Sequence, residues 1–185
     1  IQSWVNAGHP TWDAEASWRG DTGARLAQEL PVFNLLVYLG VWAGLPLNVA
    51  GRLVSALLWG IGFLVLQMIW RRWLDGRATF WANLLFVLSP VSIAFGQAIM
   101  PEMLVQLLGL GWVVLLLRYR DQPSLVLWCG IVAVGALGAL IKLPAFSQYY
   151  LMLGVVLFLR HRWGVFAQTR VWAGGIFTVA VLWWW

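Results

Sequence analysis

The sequence predicts an all-α, polytopic transmembrane helix bundle with a polar outer N-terminal loop and a short interfacial helix. Three observations carry that expectation. Hydrophobic residues make up 62% of the 185-residue chain and charged residues only 10%, against roughly 45–50% and about 25% in soluble domains. The apolar residues fall in successive runs of near-membrane length. The charges collect in the short joints between those runs. A soluble domain of this size has too little interior to hide so much apolar surface, so lipid must cover it.

Residues 1–31 form the one polar stretch, read as an outer loop, with Asp13, Glu15, Arg19, Asp21, Arg25 and Glu29 among Trp, Gly and Ala. Pro31 then opens a short apolar helix, about Val32–Gly44. At 1.5 Å per residue it falls short of a hydrocarbon core roughly 30 Å thick, so it is expected at the outer interface. Residues 45–185 are expected to form a bundle of about six membrane-spanning helices. The runs are Val49–Trp70, Ala78–Phe95, Met103–Leu117, Leu125–Ile141, Leu143–Leu159 and Val171–Trp185, several of them short enough to stand nearly upright. Gly135 and Ala139, four apart, suit a close helix crossing. The chain starts at Ile1 and stops at Trp185 inside an apolar segment, so it reads as a portion of a longer protein.

Charge orients the bundle. Placing the 71–77, 118–123 and 160–170 joints in the cytoplasm puts Arg71, Arg72, Arg77, Arg118, Arg120, Arg160, Arg162 and Arg170 inside, with only Asp75 and Asp121. The outer side then holds Arg19, Arg25, Arg52 and Lys142 with the other five acids, Asp13, Glu15, Asp21, Glu29 and Glu102. That alternation is what the positive-inside rule requires of a multi-pass cell-membrane protein. The net charge of +5 is therefore a topology signal and no nucleic-acid footprint. Most of the fifteen tryptophans read as interfacial anchors.

Cofactor chemistry leaves few traces. The single cysteine, Cys129, lies in an apolar run, which excludes an intrachain disulfide and a thiolate metal site, and His9 and His161 are far apart. No cofactor is expected. Carboxylates could hold a divalent metal, but no ligand cluster is visible.

Every unusual polar residue falls on the outer side near a helix end: Asp13, Glu15, Asp21, Glu29, Arg52, Glu102 and Lys142. Carboxylates beside two cations suit an anionic, lipid-borne ligand. A carboxylate can take a proton from an acceptor hydroxyl while Arg and Lys neutralise a phosphate leaving group. Each residue also has an ordinary reading. Glu102 after Pro101 is a usual helix start, and Glu29 before Leu30-Pro31 suits the start of the short helix. Lys142 can be a snorkelling lysine, and Asp13, Glu15 and Asp21 can be solvated loop residues. Lys142 nevertheless precedes Pro144, which is expected to start another helix, so its ammonium and free backbone N–H groups would share one phosphate-sized region.

The runs Glu29-Leu30-Pro31 and Gly51-Arg52-Leu53-Val54-Ser55 resemble an "E-x-P … R-L-x-S" signature. Leu88-Ser89-Pro90, Gln97-Ala98-Ile99-Met100-Pro101-Glu102 and Ala139-Leu140-Ile141-Lys142 follow in order. Together they resemble the dolichyl-phosphate-mannose-protein mannosyltransferase-like family, within glycosyltransferase superfamily C and related to bacterial aminoarabinose transferases. The resemblance covers about Trp12 to Arg162. It implies inverting transfer of a sugar from a polyprenyl phosphate to an acceptor hydroxyl on the outer face. It further implies Glu29 for orientation or acceptor contact, Arg52 and Lys142 for the donor phosphate, Glu102 for substrate binding, and Asp13 and Asp21 for acid or base work. The family's best-known acid follows a first span that has no counterpart here, so it is expected to precede Ile1. The expected partners are membrane lipid, the polyprenyl-phosphate sugar and other membrane subunits. The competing reading is a non-catalytic accessory or scaffold subunit of a larger membrane complex. A transporter or channel fits less well, because no run carries Asp, Glu, Lys or Arg at its centre.

Overall fold

The structure is a computed structural model that describes residues 30–161 and 169–184. The described residues are all-helical. In chain order the helices are α1 (Val32–Trp42), α2 (Leu47–Trp70), α3 (Gly76–Leu88), α4 (Pro90–Gln97), α5 (Glu102–Asp121), α6 (Leu125–His161) and α7 (Thr169–Trp184). Three of them, α2, α5 and α6, are long and apolar enough to cross a membrane, and α3 with α4 makes a fourth if the bent pair is one span. Large apolar side chains point outward all along the bundle, with Leu85 72% and Val126 81% exposed. Such surface needs cover from lipid or a membrane partner, and the length and apolarity of these helices match a bilayer. The chain is a membrane protein.

α1 closes where its sequence says it should. Gly44 sits at φ 94, a left-handed conformation that costs glycine little. Gly44 N–H donates to Val41 O at 2.9 Å and Leu45 N–H to Gly40 O at 3.1 Å, the paired bonds of a Schellman cap. Pro46 then caps the start of α2. The 11 residues of α1 cover about 16 Å, too short for a crossing. Both its ends are tied to one end of the bundle. Leu30 N–H donates to Leu140 O at 2.9 Å, and an added Cβ on Gly40 would lie 3.0 Å from the Ala50 side chain on α2. Phe33 and Val37 are buried beneath it.

The apolar run expected as one helix over Ala78–Phe95 is broken. α3 ends at Leu88 and α4 starts at Pro90, with a bend of 56° between them. Pro90 has no N–H for the carbonyl of Phe86, and its ring forces Ser89 out of the helical region. Ser89 accordingly takes φ −62, ψ 124. Its own N–H closes onto Phe86 O at 3.3 Å. Hydropathy could not see this break, because Ser and Pro interrupt the hydrogen bonding and barely alter the apolarity.

α3 buries no residue and is held to α2 by side chains. Phe86 stacks near Trp59 and Phe63, with centroids at 5.9 and 5.8 Å. Gln67 and Asn83 exchange amide hydrogen bonds, the one from Asn83 Nδ2 to Gln67 Oε1 being 3.2 Å. Replacing Asn83 by Leu leaves the Gln67 amide without this partner. The expected loss is about 0.6 kcal/mol, up to about 1.7, by analogy with other interhelical bonds in membranes. Thermal unfolding in detergent reads it, and an unchanged midpoint would mean the amides contribute nothing.

α6 is two helical arms joined at a break. Lys142 has φ −160, ψ 85 inside it, and the two arms fold back on each other there. Tyr150 Oη comes within 2.7 Å of where a Cβ on Gly135 would stand, and the Phe146 ring covers Gly138. A straight helix would hold residues fifteen apart about 22 Å away. The expected boundary between Leu125–Ile141 and a helix starting near Pro144 therefore coincides with the fold-back. Pro144, near the start of the second arm, removes the donor that would have met Leu140 O. Leu30 supplies it instead.

α5 is the central strut. Trp112, 1% exposed, donates its indole N–H to Ile131 O at 2.7 Å and meets Phe146 and Tyr150 edge-on. This tryptophan is core, unlike the interfacial anchors expected of most. At one end of the bundle Ser55 Oγ donates to Ala98 O at 2.6 Å, fixing the loop before α5 against α2. At the other end Arg72 and Asp121 pair at 2.6 Å. The 71–77 and 118–123 joints therefore share one end, as the charge alternation required.

Candidate functional site

Two of the residues singled out in the sequence meet. Lys142 Nζ lies 2.5 Å from Glu102 Oε1, and the two side chains are 26% and 27% exposed. The residues are forty apart in the chain and are brought together by the packing of α5 against α6. Glu102 opens α5, where a carboxylate faces the positive end of the helix dipole. Lys142 occupies the turn of the α6 hairpin, where the backbone leaves the helical region. Around them Met103, Leu104, Ile141 and Phe146 are buried.

A pair this sheltered contributes little net stability, yet neither member can be removed cheaply. Deleting one partner of a fully buried pair costs about 3–5 kcal/mol, and the remaining quarter exposure lowers that here. The second carboxylate oxygen, Glu102 Oε2, is buried and accepts no hydrogen bond from the described residues. The pair thus offers an ammonium at a helix turn and, beside it, a carboxylate oxygen free to accept a hydrogen bond.

Arg52 stands at the same end of the bundle, in the second turn of α2. Its neighbour Gly51 lies under Ile99, three residues before Glu102, with a Cβ there only 2.7 Å from the isoleucine. Arg52 itself is exposed. No ion pair or hydrogen bond joins its side chain to Glu102 or Lys142. The arrangement brings together two of the three expected substrate-binding residues and sets the third on the outer surface of α2. Asp13, Asp21 and Glu29, expected as catalytic, lie outside the described residues, as does Glu15. Among the described residues no group of three His, Cys, Asp or Glu side chains gathers that could hold a metal.

Sequence reading missed one feature near this end. A pocket of about 130 Å³ opens at the break between α3 and α4, lined by Ser89, Ser92 and Gln106 with Trp59, Phe86 and Phe95 among its walls. Trp59 Nε1 donates to Ser92 Oγ across it at 2.8 Å. The signal was Ser89-Pro90 inside an apolar run, since a proline at membrane depth frees backbone groups that must be covered or solvated.

Comparison with protein-family models, with curated proteins and with solved structures returns no match to this chain.

Proposed function

We propose that the chain carries part of the site of a membrane glycosyltransferase that moves a sugar from a polyprenyl phosphate to an acceptor hydroxyl. The observation that carries the reading is the Lys142–Glu102 pair at the turn of the α6 hairpin, with one carboxylate oxygen still unbonded. The order of the motifs around Glu29, Arg52, Glu102 and Lys142, similar to the mannosyltransferase-like family, supports it. So does the gathering of the α2 start, the α5 start and the hairpin turn at one end of the bundle.

The donor phosphate competes with Glu102 for the Lys142 ammonium. Phosphate then sits against the cation, and Glu102 turns its carboxylate toward the acceptor hydroxyl. The acceptor oxygen forms a bond to the anomeric carbon as the bond from that carbon to the phosphate oxygen breaks. The hydroxyl proton passes to a carboxylate acting as base, for which Glu29, Asp13 and Asp21 are the candidates. Polyprenyl phosphate leaves with its added charge held by Lys142 and, on approach from the surface, Arg52. Attack opposite the leaving phosphate inverts the anomeric centre.

The test is transfer of radiolabelled sugar from defined polyprenyl-phosphate sugars in membranes containing the protein. Release of polyprenyl phosphate matched to labelled acceptor supports the reading. Absence of transfer with every donor, in a preparation that keeps its fold, removes it and leaves the scaffold-subunit reading.

The same reading places the Lys142–Glu102 end outside the cytoplasm and the Arg72–Asp121 end within it, in the cell membrane. An impermeant maleimide applied from outside should label a cysteine placed at Gln97 and miss one placed at Gln122. The reverse pattern would move the site to the cytoplasmic face and end the proposal.

A further inference from the structure

We propose that the arginine end of the α2–α5 seam binds the headgroup of one anionic phospholipid, with Arg118 as its principal contact. The stripe of α5 that faces α2 is fixed by Met103, Leu107 and Leu110, which share a pocket wall with Leu58 and Gly62. Continued at steps of three and four, that stripe runs through Val114 and Arg118 to Asp121. Asp121 does reach α2, where its Oδ2 meets Arg72 at 2.6 Å. Its Oδ1 accepts from Arg120 at 3.4 Å. Both oxygens of the one carboxylate at this seam are therefore engaged by other arginines.

Arg118 stands on the same side of α5, one turn nearer the middle of the bundle. Its side chain is exposed and has no ion pair or hydrogen bond with the described residues. Two arginines thus hold the carboxylate of Asp121, and Arg118 is left out of that cluster. Asp75, the other acid at this end among the described residues, accepts from Ala78 N–H at 2.7 Å as the cap of α3. The 24 residues of α2 measure about 36 Å and exceed the hydrocarbon core, which sets their end among headgroups. Trp73, 58% exposed just after α2, suits that level. A phosphodiester carrying net charge supplies what Asp121 cannot, and the planar guanidinium of Arg118 can grip two of its oxygens. Basic pockets between helices at such a level are suited to anionic headgroups. A zwitterionic lipid brings its own cation and gains less.

Native mass spectrometry of the detergent-solubilised chain, titrated with phosphatidylglycerol and separately with phosphatidylcholine, reads the site. Wild type should retain one phosphatidylglycerol with at least about tenfold preference over phosphatidylcholine, worth about 1.4 kcal/mol. Arg118→Gln should erase that preference and Arg118→Lys should keep only part of it. Arg77→Gln, which removes the same charge from the start of α3, should leave it intact. Equal losses in Arg118→Gln and Arg77→Gln would show a diffuse charge effect and overturn the proposal. No lipid preference in wild type would overturn it without any variant.

Discussion

Lys142→Ala should lower sugar transfer from a polyprenyl-phosphate donor by at least about 100-fold. Removing one preorganised donor to a developing charge commonly costs 10²–10³ in rate. Lys142 is the cation at the hairpin turn, and the leaving phosphate gains charge there as the anomeric bond breaks. The loss should fall on kcat as well as KM, because the interaction strengthens in the transition state. Lys142→Arg keeps the charge but spreads it over a planar fork, and should recover part of the activity. Two further outcomes separate phosphate binding from simple structural damage. Glu102→Gln spares the ammonium and removes the negative charge set against it, so donor binding should tighten while acceptor use declines. The double variant Lys142→Met, Glu102→Met should regain stability relative to either single change, since no lone charge remains, yet stay inactive. Wild-type transfer in Lys142→Ala would sink the phosphate role.

Much of the architecture was legible because membranes impose simple rules. Runs of apolar residues punctuated by arginine gave α2 and the start of α5 closely, placed the end of α5 short, and gave α6 as two runs that meet at Lys142. The charge alternation anticipated that the 71–77 and 118–123 joints share an end. Lys142 and Pro144 announced the hairpin, for proline leaves Leu140 O without its usual donor. The break at Ser89 was equally present as Ser89-Pro90. It passed unread because an apolar count ignores which backbone bonds proline removes. The site was legible only in part. Glu102 and Lys142 each looked ordinary alone. Their pairing depends on how α5 packs against α6 across forty residues, a relation that no local pattern encodes. Arg52 shows the converse. Its motif pointed to the site, but helical geometry turns it about 100° from Gly51, the residue that faces the loop.

Gly138→Leu should open the α6 hairpin and destabilise the protein by about 3 kcal/mol or more. The Phe146 ring already fills the space that a Cβ on Gly138 would need, its Cδ2 and Cε2 atoms lying inside contact distance. Phe146 is 0% exposed and has ring neighbours on three sides, Trp112, Tyr149 and Tyr150, with centroids at 5.9, 5.2 and 5.4 Å. It has no vacant direction in which to retreat. Either the ring leaves the core, at a cost like that of deleting a buried phenylalanine, about 3–5 kcal/mol, or the arms move apart. Separation of the arms would also pull Leu140 O from Leu30 N–H and Lys142 from Glu102, so transfer activity should fall together with stability. Gly60→Leu is the matched control. No neighbouring atom lies within 4 Å of where its Cβ would stand, and the side chain should project into lipid without harm. Thermal unfolding of the two variants in the same detergent decides the matter. A wild-type midpoint for Gly138→Leu would mean that the arms of α6 do not close on each other as described, and the turn that places Lys142 beside Glu102 would lose its support.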